Sequence, residues 1–75
     1  MKLKEFKKGE VGIIEKFDTQ DPAYRQKLFR MGLINNAEFE VVRKAPFGGP
    51  IEIEVKGSRV VLRSDEANVL EVVKK

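Results

Sequence analysis

The chain has 75 residues, room for one domain and one thin hydrophobic core. It contains no Cys, His or Trp. That excludes disulfides, Cys/His zinc sites, thiol nucleophiles, imidazole bases and any Ser–His–Asp triad. A net charge of +3, with 36% charged and 41% hydrophobic residues, describes a folded and mildly basic chain.

Met1 to Gly12 holds no apolar run of signal-peptide length, and no stretch reaches the ~20 apolar residues that cross a bilayer. A soluble cytoplasmic protein is expected. Six glycines and three prolines divide the chain into short pieces, which suits short strands and tight turns.

Val11 to Phe17 reads as a strand in which Val11, Ile13 and Phe17 alternate with Gly12, Ile14 and Lys16. A glycine inside a strand marks a bulge or a place where another backbone comes close. Asp21-Pro22 then opens a helix, because Asp21 caps free N–H groups and proline at the first helical position needs none. Tyr24, Leu28 and Met31 form its apolar stripe, Gly32 ends it, and Leu33 packs back beneath it.

Glu38 to Lys44 is the next strand, with Phe39, Val41 and Arg43 on one face. Ile51 to Lys56 follows, Ile51, Ile53 and Val55 inward and Glu52, Glu54 and Lys56 outward. Gly57-Ser58 fits a two-residue type II′ turn into a strand at Arg59 to Arg63, which places Glu52 opposite Arg63. Ser64 is expected to cap a helical turn through Asp65, Glu66 and Ala67, and Val69 to Val73 to form a closing strand. The fold class is mainly β. Residues 1–75 make one small SH3-like barrel of about five strands, with one inserted α-helix and a short helical turn; closure removes the exposed edges.

Three features carry candidate chemistry. Between Pro22 and Ile34 stand Arg25, Lys27 and Arg30 and no acid, with Phe29 off the apolar stripe and near Arg25. Such a face suits an acidic protein surface. The loop Ala45-Pro46-Phe47-Gly48-Gly49-Pro50 is stiffened by two prolines and bent by two glycines. It either presents Phe47 to a partner or folds that ring over an open barrel end. Finally, pairing of the flanking strands places Glu40 opposite Glu54. Like charges across a strand pair cost free energy unless neutralised, by Lys56 and Arg63 or by a weakly held divalent cation. No other cofactor is expected. The basic residues are dispersed and most aromatics fall on core positions, so nucleic acid is not expected as a partner.

Read together, several segments resemble one family. They are Gly9-Glu10-Val11-Gly12-Ile13, the helix Tyr24 to Leu33 ending in Leu-x-x-x-Gly-Leu, the stretch Val42 to Ile53 with its Ala-Pro-x-Gly-x-Pro-Ile loop, Leu62-Arg63, Ala67, and Val69 to Val72. The chain is similar over nearly its whole length to the FeoA family, small cytoplasmic proteins of bacterial ferrous iron uptake. It departs from the family at Asn35-Asn36, where Pro-Gly is usual; Asn tolerates the same positive φ.

The resemblance implies an SH3-like barrel that is not an enzyme. It also implies association with FeoB, the membrane iron permease with a cytoplasmic GTPase domain, and a peripheral place at the inner membrane through that partner. A surface joining Arg25, Phe29 and Arg30 to Pro46, Phe47, Gly48 and Gly49 is the expected contact. A metal-responsive module using Glu40 and Glu54, or a small nucleic-acid-binding barrel, are the alternative functions.

Overall fold

Strand β1 runs over Val11–Phe17 in a computed structural model that describes residues 1–75. Gly12 and Ile14 are its buried residues, while Val11 and Ile13 are half-buried. Gly12 is indeed a place of close approach, but to aromatic rings rather than to a backbone. A Cβ at this position would stand 2.6 Å from Phe6 and 2.7 Å from Phe39. Both rings are buried, with centroids 5.3 Å apart. The irregularity in β1 lies further on, between Ile14 and Lys16. Phe6 reaches the core because Leu3–Glu5 forms a 3-10 turn that also buries Leu3, an element with no apolar periodicity to announce it.

Helix α1 spans Pro22–Arg30. The Asp21 carboxylate accepts the backbone N–H groups of Ala23 at 3.0 Å and Tyr24 at 3.4 Å. Leu28 is buried, and Tyr24 and Met31 are half-buried, so the stripe faces inward as its spacing requires. Gly32 takes φ 88° and the Leu33 N–H turns back to the Leu28 carbonyl at 3.2 Å, which seats Leu33 in the core.

Strands β2 (Glu38–Lys44), β3 (Ile51–Val55) and β4 (Ser58–Leu62) form two successive hairpins. A register shift between Val41 and Arg43 turns Arg43 outward, against the expectation that it continues the Phe39–Val41 face. The second hairpin turns one residue earlier than its sequence suggests. Val55 pairs with Ser58, and Lys56 and Gly57 take φ 52° and 82°. Two positive values make this a type I′ rather than a type II′ turn. Glu52 therefore faces Val61, not Arg63, and Glu54 faces Arg59. A shift by two residues leaves the buried face unchanged, so Ile51, Ile53, Val55, Val60 and Leu62 remain in the core.

The last helical segment is longer than one turn: α2 spans Ser64–Val69. Arg63, not Ser64, occupies the cap position, and its backbone N–H donates to Glu66 Oε1 at 2.9 Å. Strand β5 follows at Leu70–Lys74. The five strands form one antiparallel sheet in the order β4-β3-β2-β1-β5. Segment α2 thus connects the two edge strands. All strands, α1, α2 and the 3-10 turn contribute to a single core cluster of 16 buried residues. No helix is long and apolar enough to cross a membrane.

Candidate partner-binding surfaces

The loop between β2 and β3 is shaped by its own backbone. The Ala45 N–H donates to the Pro50 carbonyl at 2.9 Å, and the Gly49 N–H to the Pro46 carbonyl at 3.2 Å. Phe47 and Gly48 take φ 60° and 72°, the mirror image of a common turn. Glycine holds that conformation without strain, but at Phe47 it costs about 1–2 kcal/mol. Gly49 is required for a different reason: a Cβ there would stand 2.8 Å from the Ala45 methyl. The Phe47 side chain is 103% exposed, so its ring covers no barrel end and adds nothing to the core. Pro46, Phe47, Gly48 and Gly49 together line a cleft of about 460 Å³ that also includes Lys4, Lys44, Ile51 and Ala67.

Lys44, at the end of β2, is the residue that sequence reasoning passed over. Its ammonium donates to the Lys4 carbonyl at 2.8 Å and the Phe6 carbonyl at 2.9 Å. The available signal was a cation immediately before the proline-glycine loop.

The helix candidates divide between two other depressions. Arg25 and Phe29 line a groove of about 630 Å³ with Lys16, Phe17 and Ile34. Phe29 is 56% exposed, and the Arg25 guanidinium donates to the Thr19 carbonyl at 2.9 Å. Arg30 lies in a second hollow with Lys27 and Met31. Neither hollow shares a lining residue with the loop cleft. The structure therefore brings Arg25 together with Phe29, and Pro46 to Gly49 with one another, as separate surfaces. Lys27 leaves the basic face to pair with Glu66 at 3.0 Å. The Arg63 N–H first, and then Lys27, hold the largely buried Glu66 carboxyl below its ordinary range. Burial pushes the Tyr24 hydroxyl up, helped by Asp65 and Glu66; that hydroxyl has no hydrogen-bond partner.

Glu40 does stand opposite Glu54. Lys56 lines the same small cleft, but the near cation is Arg59, not Arg63, because the register places Arg59 across from Glu54. Its Nε lies 3.9 Å from Glu54, and its Nη1 lies 3.4 Å from Glu52, which Arg43 also approaches at 3.5 Å. No group of three or more carboxylates converges as metal ligands do.

Comparison with known proteins matches residues 1–74 to the family model for the FeoA domain. The FeoA protein of Chlorobium tepidum is 35% identical over 99% of this chain and 70% of its own, with a TM-score of 0.86. A FeoA described as an iron uptake regulatory protein is 33% identical, covering 100% of this chain and 97% of its own, with a TM-score of 0.89. The FeoA of Stenotrophomonas maltophilia, complexed with zinc, is 26% identical over 97% of this chain and 89% of its own, with a TM-score of 0.82. That protein is described as a procaryotic SH3 domain proposed to activate bacterial ferrous iron transport. With its five-stranded antiparallel sheet and this match from end to end, the chain belongs to the FeoA domain family, a family of SH3-like proteins associated with ferrous iron transport and not known for catalysis.

Proposed function

We propose that this chain is a non-enzymatic accessory protein of bacterial ferrous iron uptake that docks on a FeoB-type permease or its cytoplasmic GTPase domain. The observation that carries the reading is Phe47. A wholly exposed phenyl ring sits on a backbone conformation that glycine would hold at lower cost. The core gains nothing from it, so its use lies outside the chain. Aromatic anchors on pre-shaped loops bind well because little ordering entropy remains to be lost. The basic groove at Arg25 and Phe29 provides a second, separate face that steers toward acidic surfaces. On this reading the protein sits at the cytoplasmic side of the membrane through its partner.

Calorimetry of the soluble GTPase domain against wild type and Phe47→Ala tests it. The wild type binds, and the variant binds at least about tenfold more weakly while its melting temperature stays within a few degrees. Equal binding by both proteins overturns the role of Phe47. No binding by the wild type, to the domain or to the intact permease in detergent, overturns the docking reading itself.

A further inference from the structure

We infer that the cleft beside Phe47 receives an acidic-aliphatic segment of the docking partner, with a partner carboxylate seated on the Lys44 ammonium. This deepens the docking reading and rests on it for the identity of the partner. The charge pattern supplies the first argument. Lys4 and Lys44 are the only charged residues lining the cleft, and no acid lines it. Neither lysine takes part in any of the nine ion pairs of the chain, whereas Lys27, Arg43, Arg59, Lys74 and Lys75 all do.

The second argument is preorganisation. An ammonium carries three donors. At Lys44 two of them are spent on neutral carbonyls, those of Lys4 and Phe6, which hold the side chain in place. The third donor and the whole positive charge remain unanswered. A surface lysine normally loses rotamer freedom when it pairs; here that freedom is already gone. The fixed cation stands in the wall of a cleft that Phe47, Pro46, Ile51 and Ala67 line on its apolar side and Lys4, Ser64 and Asn68 on its polar side. A fixed ammonium, with a second lysine in the same cleft and an apolar wall beside it, matches a carboxylate next to an aliphatic side chain. A phosphate backbone would call for a line of cations and stacked aromatics, and the remaining bases lie on other surfaces.

The direct test is NMR of the full chain with two short blocked peptides, one of alternating glutamate and leucine, the other of glutamine and leucine. The glutamate peptide is expected to shift the Lys44 side-chain signals and the amides of Phe47, Gly48 and Gly49, and to bind about tenfold more tightly than its neutral counterpart. Lys44→Met abolishes that preference. Lys44→Gln, which keeps a donor for the carbonyls, abolishes it too and covers the case in which the methionine variant loosens the 3-10 turn. Equal affinities for the two peptides, or no shift at Lys44, overturn the inference. Because the peptides need no permease, failure of the GTPase domain to bind removes the docking reading alone, whereas domain binding without peptide discrimination removes the cleft chemistry alone.

Discussion

Gly12→Ala places one methyl group where two aromatic rings already meet. The added Cβ would lie 2.6 Å from Phe6 Cε2, 2.7 Å from Phe6 Cζ and 2.7 Å from Phe39 Cζ. Carbon atoms rest about 3.5–4.0 Å apart, so the rings must open by roughly 0.8 Å or more. Neither has solvent to move into, at 0% and 2% exposed, and each already packs on the other. Overpacking of this kind costs about 1–3 kcal/mol. Removing a glycine from the unfolded chain returns about 0.4–1 kcal/mol. With each range taken at its middle, the net loss is about 1.3 kcal/mol, against a total stability of about 4–11 kcal/mol for a chain of 75 residues. Each kcal/mol lowers the melting temperature of so small a domain by about 4–8 °C. Urea denaturation followed by circular dichroism measures the change. In the double variant Gly12→Ala with Phe39→Leu the two losses should add to less than their sum. A stability change below about 0.5 kcal/mol for Gly12→Ala would refute the reasoning, since the rings would then have room that the geometry denies them.

Phe47→Gly removes an exposed ring and relieves about 1 kcal/mol of left-handed strain, offset by the greater freedom of glycine when unfolded; its melting temperature should equal or slightly exceed that of the wild type, and a clear fall would show the ring to be structural. Asp21→Ala strips the cap from α1, lowering stability by about 1 kcal/mol and speeding hydrogen exchange at Ala23 and Tyr24, the amides that Asp21 holds. Glu66 has a depressed pKa, so its contribution to stability is present above the ordinary carboxylate value of 4.5 and is lost as pH falls through its lower folded value. Thermal melts from about pH 6 to about pH 3 should therefore fall less steeply for Glu66→Gln than for wild type; parallel curves would remove Glu66 from the acid response.

The barrel was legible in the residues because its signals are short-ranged. Ile51, Ile53 and Val55 alternate with outward residues, and that alternation alone places them in the core. The Asp21-Pro22 start and Gly32 stop of α1 each depend on neighbours within a few positions. The hairpin after β3 shows where such reading falters. Gly57 permits either of two adjacent turns, and the folded chain takes the one at Lys56-Gly57. Arg59 rather than Arg63 consequently becomes the cation beside Glu54.

The candidate surfaces were legible only in part. Composition and turn chemistry singled out Phe47 and Phe29, and Glu40 was correctly set against Glu54. Whether the Phe47 ring lay over the core or in solvent could not be read from its neighbours, since both placements satisfy the same prolines and glycines. Nor did chain order reveal that the helix and loop candidates line different hollows.

Alternation, capping and turn residues act over a handful of positions, so the inward face of β3, both ends of α1 and a mainly β character were written into the order of amino acids. The fixed Lys44 ammonium has another origin. Its acceptors lie 40 and 38 residues away along the chain. Contacts at that separation exist only after the chain has folded and carried the 3-10 turn to the end of β2, which is why the charge of the cleft and its walls emerge from packing rather than from pattern.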